Sequence, residues 1–451
     1  GTVTAPLDTN NISYSGLVDG DDFTGTYSGV FANANVGANK TVTITSTYSG
    51  ADVGNYSVTN QSSATGNIVA KTLTATASAA NKVYDATNSA TTSLTLSGLI
   101  GTETLTTSNT STFNNKNVGT GKTVTVNSIT LANGSNGGLA ANYSISPGQT
   151  TTANVTAKAL TVSGITASNK TYDASTFATL NVLPISYNGL IAGDDFNGTY
   201  TGAFSDKNVG TGKTVTITPS YTGADVSNYS VTDQATTTAN ITAKALSVSG
   251  ITASDKTYDG NAVATLNTGA VLYSGLVSGD TLTGTYSGVF DNANVGTGKT
   301  VTITSSYGGT DANNYTITYQ ASTIGNIAAK SLTATASAAN KVYDATNSAT
   351  TTLILSGLIG TETLTTSNTS TFNNKNVGTG KTVTVNSITL TDGTGLASNY
   401  SISPGQTTTA NVTAKALTVS GITAANKTYD ANTTATLNTG GVTYTGLIGG
   451  D

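Results

Sequence analysis

One set of short motifs recurs along this chain at a spacing of about 86 residues, and that spacing constrains the fold more than any other feature. A Tyr-Asp pair with a lysine two residues before it stands at Tyr84-Asp85, Tyr172-Asp173, Tyr258-Asp259, Tyr343-Asp344 and Tyr429-Asp430, in steps of 88, 86, 85 and 86 residues. Gly-Leu-Ile/Val, Asn-Val-Gly, Gly-Lys-Thr-Val and Asn-Tyr follow at similar offsets. A period that long describes an array of small domains, each folding much like the last. Function is therefore to be sought in the array before any single residue.

The motifs divide the chain into six pieces. Residues 1–71 form a partial repeat lacking its opening strands, residues 72–158, 159–244, 245–330 and 331–415 form four repeats, and residues 416–451 form the opening part of a further one. Within 72–158, Thr72 to Ala79 alternates polar and apolar, which is strand periodicity. Lys82 to Asn88 is a turn cluster in which Asp and Asn bond their own backbone. Strands are expected over Thr92–Leu99 and Leu105–Phe113. Asn117 to Lys122 reads as a glycine turn feeding the alternating Thr123-Val124-Thr125-Val126, and Asn142–Ile145 and Thr151–Val155 supply the last strands. Six or seven short strands and no helix in one period predict an all-β, antiparallel, Ig-like sandwich. Valines on one face and threonines on the other fit sheets with one dry and one wet face.

The chain also contains its own insertion experiment. Residues 73–158 and 332–415 are nearly identical at an offset of 259, or three repeats. They differ before the Asn-Tyr motif, where Leu131 to Leu139 in one copy is matched by the shorter Leu390 to Leu396 in the other. A tolerated length change marks a surface loop. Separating near-identical domains by two others limits strand swapping during folding, although duplication history explains the pattern equally well.

The junctions read Ala70-Lys71-Thr72-Leu73, Ala157-Lys158-Ala159-Leu160, Ala243-Lys244-Ala245-Leu246, Ala329-Lys330-Ser331-Leu332 and Ala414-Lys415-Ala416-Leu417. None carries the Gly/Ser or Pro run of a flexible linker. Strand-like alternation runs straight through, so the last strand of one domain is expected to pass almost directly into the first of the next. That predicts a stiff rod. Ten residues of strand span roughly 33 Å, and five such domains end to end would reach on the order of 200 Å.

Taken together, the Lys-x-Tyr-Asp-Ala/Gly opening, the Gly-Leu-Val-x-Gly-Asp corner, the Asn-Val-Gly-x-Gly-Lys-Thr-Val turn and the closing Asn-Tyr-x-Val/Ile resemble YDG-type repeats and the related, mostly bacterial Ig-like MBG repeats. The resemblance covers essentially the whole chain. It implies a stalk-like segment of a filamentous-haemagglutinin-like exoprotein or other bacterial surface adhesin, extracellular or on the cell surface, in a setting of two-partner secretion or biofilm matrix. It carries no catalytic residue to transfer. Only Asp259-Gly260 matches the third letter of the motif, the other four copies having alanine, so the turn is not expected to demand a glycine conformation.

Composition bounds the chemistry. The 451 residues include 50 Gly and 21 Tyr but no Cys, Met, Trp or His, and all 18 basic residues are lysine. Frequent Thr, Val, Ile and Tyr favour β-structure over disorder. A net charge of −5 with no arginine argues against a nucleic-acid partner. No apolar run is long enough to span a membrane. Gly1 opens the chain without a basic, apolar leader, so any signal peptide was removed or lies upstream. Zero cysteine fits the cytosol and equally an exported protein threaded unfolded through an outer-membrane pore; a cytosolic enzyme lacking Cys, Met, Trp, His and Arg together would be unusual.

No triad of the usual kind can form without His or Cys, and the adjacent carboxylates Asp21-Asp22 and Asp194-Asp195 point to opposite faces of a strand, a poor geometry for a glycosidase pair. No enzyme activity and no cofactor are expected. The densest acidic cluster, Asp19, Asp21 and Asp22, is the calcium candidate, against the plainer reading of a polar turn in which Asp bonds backbone amides. Lys170, Asn228 and Asp173 supply the lysine, asparagine and acid of a Lys–Asn amide cross-link, although spacing alone does not bring them together. Tyr84, Tyr172, Tyr258, Tyr343 and Tyr429 could stack on sugars, but read better as core or corner tyrosines, as do Tyr56, Tyr143, Tyr229, Tyr315 and Tyr400 with their neighbours Asn142 and Asn228.

Tyr14 corresponds to Tyr444 and Asp21 to Asp451, so residues 416–443 and 14–71, 28 and 58 residues long, together make one 86-residue repeat. Two readings follow. The preferred one is a window on a longer array. The other is a subunit whose neighbours complete its split domain by donating strands. The expected function is a structural stalk or fibre that projects a tip or bundles without catalysis. Its partners are then other copies of itself or adjoining repeats in a longer chain. The alternative is a multivalent module binding extracellular polysaccharide through domain loops.

Overall fold

The structure, a computed structural model, describes residues 3–450. Asp451 lies outside the described residues. These fall into two compact units. The first comprises residues 1–169, 176–205 and 212–240, and the second residues 170–175, 206–211 and 241–451, so the division passes through the repeat at 159–244. Among the described residues there is no α-helix, only strands and single 3-10 turns such as Ala140–Asn142 and Ala312–Asn314. No helix there is long and apolar enough to cross a membrane.

The repeat at 245–330, within the second unit, serves as the example. Its strands are β1 (Lys244–Ser249), β2 (Thr252–Ala253), β3 (Lys256–Thr257), β4 (Val263–Ala264), β5 (Leu266–Asn267), β6 (Leu272–Ser274), β7 (Thr283–Phe290), β8 (Gly296–Gly308), β9 (Tyr315–Thr318) and β10 (Ser322–Ala328). One sheet has the order β3-β10-β8-β7-β4, another the order β6-β1-β9, and β2 pairs with β5. Most pairs are antiparallel, as the alternating pattern predicts. Two are not: β1 runs parallel to β9 and β3 runs parallel to β10. The opening segment leaves one sheet after Ser249 and joins the other at Lys256. Gly250 allows that crossing, because it sits at φ +85 and a Cβ there would lie 2.2 Å from the carbonyl oxygen of Ala270.

Period-two alternation builds the core. On β8, Val301 and Ile303 are buried while Thr300, Thr302 and Thr304 face outward. Phe290 from β7, Ile327 from β10, and Leu246, Val248 and Ile251 from the opening segment are buried with them. Each such side chain contributes about 1.5–3 kcal/mol by leaving water. The expected glycine turn is instead part of a strand. In the 72–158 repeat that strand runs Gly119–Asn133, and its register against Thr150–Thr156 shifts between Gly119 and Lys122. An extra residue is absorbed there as a bulge, which glycine tolerates. The length-variable loop before the Asn-Tyr motif is exposed apart from one buried glycine in each copy, Gly138 or Gly395, and the half-buried Leu131 and Leu390 that open it.

The junctions are as short as their sequences suggest. Ala157 alone separates strand Thr150–Thr156 from strand Lys158–Ser163, and Ala329 alone separates Ser322–Ala328 from Lys330–Ser331.

The Tyr-Asp turn departs from expectation. In the 72–158 repeat, Lys82 Nζ bonds Asp85 Oδ1 at 2.7 Å and the Thr87 carbonyl at 2.8 Å, and Asp85 Oδ1 accepts the Thr87 amide at 2.9 Å. The residue after Asp is left-handed at every copy: φ is +61 at Ala86, +63 at Ala174, +81 at Gly260, +69 at Ala345 and +64 at Ala431. The turn therefore does demand the conformation that glycine adopts freely, and four copies hold alanine in it at a cost of about 1–2 kcal/mol each. The Lys–Asp–amide bonds offset that strain. Ala86→Gly is accordingly expected to raise stability by up to about 1 kcal/mol, while Ala77→Gly, in strand Thr74–Ala79, should lower it by about 0.5–1 kcal/mol. Urea titration of the two variants checks this; a loss at both positions would contradict the left-handed turn.

Candidate functional site

The Tyr-Asp turn aims its tyrosine out of its own repeat and into the next. In the first unit, the Tyr84 ring is 1% exposed. Its hydroxyl donates toward Asp194 Oδ1 at 3.0 Å and Asp225 Oδ1 at 3.2 Å, both in the following repeat. Lys116, in the Asn-Val-Gly turn beside Tyr84, reaches the same two carboxylates at 3.2 and 2.9 Å. From the far side, Tyr229 donates its hydroxyl to Asp194 Oδ2 at 2.5 Å, and its ring meets Tyr84 edge-on at 5.6 Å. Asn228, fully buried, accepts the Val118 amide on Oδ1 at 2.9 Å and donates to Asn117 Oδ1 at 3.3 Å. Tyr84, Phe113, Val124, Val155, Leu160 and Tyr229 share one hydrophobic cluster, so the apolar core continues from one repeat into the next.

The second unit repeats this arrangement twice. Lys207 meets Asp311 at 3.1 Å and Asp280 at 3.4 Å, Asn314 accepts the Val209 amide at 2.9 Å, and Tyr315 donates to Asp280 at 2.5 Å. Tyr172 meets Tyr315 edge-on at 5.5 Å, with its buried hydroxyl beside Asp280 and Lys207 but lacking a bond of full hydrogen-bonding geometry. At the next junction, Tyr258 and Tyr400 both donate to Glu362, at 2.6 and 2.5 Å, and Asn399 accepts the Val295 amide at 2.9 Å. Back in the first unit, Asn142 accepts the Val36 amide at 2.8 Å and Tyr143 donates to Glu103 at 2.6 Å.

Two classes of junction emerge. Where the preceding repeat carries Lys116 or Lys207, the following one presents two aspartates, Asp194 with Asp225 or Asp280 with Asp311. Where the lysine position is Ala34 or Ala293, the following repeat presents one glutamate and a leucine, Glu103 with Leu139 or Glu362 with Leu396. At these junctions a lysine is thus present where two neighbouring carboxylates need neutralising and absent where a single carboxyl accepts tyrosine hydroxyls, one at Glu103 and two at Glu362.

Charge sets the titration. Lys116, followed by the Asp195 amide, holds the Asp225 carboxyl below the usual carboxylate range. The Thr281 amide, followed by Lys207, does the same for Asp311. Burial, helped by Asp194, pushes the Tyr229 hydroxyl up to about 12.

The other sequence candidates are placed as follows. Asp21 accepts the Tyr56 hydroxyl, Asp22 Oδ2 accepts the Ala51 amide at 3.1 Å, and Asp19 is exposed. Among the described residues no group of three or more His, Cys, Asp or Glu is placed to hold a metal ion. Lys170 bonds Asp173 and Ser175 within the second unit, whereas Asn228 is engaged with Val118, Asn117 and Asp225 in the first. Asp259, Asp344 and Asp430 pair with Lys256, Lys341 and Lys427 as Asp85 does with Lys82. The rings of Tyr84, Tyr172 and Tyr258 are buried and offer no face to a sugar, Tyr343 is half-buried, and Tyr429 is exposed. Sequence reasoning missed Lys116, Lys207, Asp225 and Asp311, although their joint replacement by alanine and leucine elsewhere in the chain was a readable signal.

Asn228→Ala leaves the half-buried Val118 amide without its acceptor, at a cost of about 1–3 kcal/mol. Hydrogen exchange at that amide should accelerate by roughly tenfold or more; unchanged protection would show that the asparagine does not close the junction. Asp225→Asn should cost about 1–3 kcal/mol at neutral pH. Because the folded carboxyl titrates below its unfolded value of about 3.9, that stabilisation is complete above the unfolded value and fades as pH falls through the folded one. Urea midpoints of the two proteins should therefore converge in acid; a gap independent of pH would contradict the assignment.

A family model described as YDG domain matches five stretches of the chain, residues 1–65, 69–153, 156–239, 242–323 and 328–410. No curated protein matches the chain. Among solved structures, the crystal structure of Drosophila N-cadherin EC1-4 is similar over 69% of this chain and 84% of that one, at 9% identity and a TM-score of 0.20, a likeness too distant to carry an argument.

Proposed function

The chain belongs to the YDG domain family, and from that premise we propose that it is the stalk or fibre segment of a bacterial extracellular adhesin or surface filament. The chain itself is a non-catalytic, structural tandem array of β-domains. What carries the reading is the junction. A connection of one residue at Ala157, Ala243 and Ala329, a buried asparagine bond and a hydrophobic cluster shared by adjoining repeats are what a segment needs if it is to hold its neighbours at a fixed angle under load. A multivalent binding module would instead need exposed, repeated recognition groups, and the recurring tyrosines that could have served are buried at three of their five positions. The composition suits export: a chain without cysteine forms no premature disulfide on its way through a secretion pore. The partners on this reading are adjoining repeats and further copies of the chain, and the site of action is the cell surface or the surrounding matrix.

Single molecules of the 451-residue chain imaged by negative stain should show no free bending at the Ala-Lys junctions, and the triple variant Asn228→Ala, Asn314→Ala, Asn399→Ala should bend measurably more. Wild-type molecules that bend freely at every junction would overturn the stalk reading.

A further inference from the structure

The chain enters each repeat by an opening segment and leaves it by a closing one, and in 245–330 these two run side by side. β1 and β9 are parallel, from Lys244 opposite Tyr315 to Ser247 opposite Thr318. After both segments have changed sheets, β3 and β10 are parallel again, with Lys256 opposite Ile327. Opposed residues are 71 apart in both ladders, so one register holds from end to end. Where the backbones part, Gln320 bridges them. It accepts the Ile251 amide on Oε1 at 3.0 Å and donates from Nε2 to the Ile251 carbonyl at 2.7 Å. Further on, the Tyr258 amide donates to the Ala328 carbonyl at 2.9 Å. In the 159–244 repeat, Lys158 to Thr161 likewise runs parallel to Tyr229–Thr232, and Gln234 brackets Ile165 at 2.9 and 2.6 Å.

Repeats 72–158 and 331–415 are built differently at the same place. In 331–415 the ladders shrink to Lys330-Ser331 with Tyr400-Ser401 and Lys341-Val342 with Val412-Thr413. Opposed residues there are 70 and then 71 apart, so the register slips by one between the two ladders. In 72–158 the matching ladders, Lys71-Thr72 with Tyr143-Ser144 and Lys82-Val83 with Val155-Thr156, are as short. The sequence supplies the cause. Thr318-Tyr319-Gln320 is replaced by Ser403-Pro404-Gly405 in one of these repeats and by Ser146-Pro147-Gly148 in the other. Proline brings no amide to a ladder, and Gly405 and Gly148, at φ +112 and +110, turn the chain out of the strand. Gln406 stands one place further on and donates to the Ser403 carbonyl at 2.8 Å, its buried Oε1 unpartnered. The opening segment pairs instead within its own hairpin, Thr333–Ala338 against Thr351–Ser356.

Tension along the chain pulls the start of the opening segment and the end of the closing segment in opposite directions. Because the two are parallel neighbours, that tension slides one along the other and loads every bond between them at once. An antiparallel hairpin pulled at its open end parts one bond at a time. We propose that the paired segments are a load-bearing clamp, strong in 159–244 and 245–330 and weak in 72–158 and 331–415. Under rising tension the weak pair gives way first and lengthens the chain while the strong pair stays folded. Each weak repeat that opens releases on the order of 300 Å of chain. Yielding under force follows the unfolding rate rather than the equilibrium stability. The clamp rests on the stalk reading for its purpose, and adds to it how a repeat resists load and then yields.

Single-molecule force spectroscopy of the 451-residue chain, tethered at its two ends, tests this. The four repeats from 72 to 415 should give two early and two late ruptures. The late pair should need about twofold higher force, as ladders of four and two residues differ. Gln234→Ala combined with Gln320→Ala should move the late pair down toward the early one. Tyr319→Pro with Gln320→Gly, which copies the weak sequence into 245–330, should turn one late rupture into an early one. Four ruptures at one force, or a late pair indifferent to the glutamine variant, would overturn the proposal. Molecules that stay straight in images but rupture at a single force would lose the clamp and keep the stalk; freely bending molecules that rupture in two classes would lose the stalk and keep the clamp.

Discussion

An asparagine side chain receiving the valine amide of the preceding repeat is the contact on which each junction turns. Asn142, Asn228, Asn314 and Asn399 make it, to Val36, Val118, Val209 and Val295. The amide lies in a turn beside a glycine with no ladder partner of its own, so without the asparagine it would be unpaired in a half-buried position. That single requirement sets the approach of one repeat to the next. It brings the Tyr-Asp tyrosine over the Asn-Tyr tyrosine and seals the apolar cluster beneath. The tyrosine that marks the start of a domain in the sequence is, physically, part of that domain's far end.

Carboxylates then tune what the asparagine positions. One glutamate shared by two tyrosine hydroxyls is satisfied without a cation. Two aspartates in the same space repel unless a lysine stands between them, and at both junctions that carry the pair, Asp194 with Asp225 and Asp280 with Asp311, the lysine occurs with it. Lys116 remains partly in water, which limits its energetic weight, so its larger effect is on which face accepts which. Specificity here comes from penalising the wrong neighbour: two aspartates against an alanine would leave buried charge unmatched.

Much of the fold was legible because its information is local and repeated. Thr300 to Thr304 alternates around Val301 and Ile303, and that alternation alone places one face in the core. Ala157, standing alone between two strands, was equally plain from the missing linker. What escaped was information spread over long separations. The parallel pairing of Lys244 with Tyr315 depends on a segment changing sheets, which no periodicity records. Tyr84 and Asp194 lie 110 residues apart in sequence. The left-handed alanines were hidden for another reason: Ala86 carries no side-chain signal of its backbone state, and the bonds of Lys82 and Asp85 that hold it there involve the neighbouring backbone.

The two junction classes bear on inheritance as well as on assembly. Tandem repeats gain and lose copies when their coding DNA recombines out of phase, and each such event creates a seam between domains that were not neighbours before. Loss of 72–330, three repeats, would bring Ala34 against Glu362 and Leu396, a matched seam, whereas loss of 245–330 alone would bring Lys207 against that same glutamate and leucine, a mismatched one. The near-identity of two repeats three places apart is what such a filter would leave behind. Loss of 159–244 alone would also be matched, Lys116 then facing Asp280 and Asp311, so array length, on this account, is a quantity the genome can vary safely only where the new seam joins faces of one class.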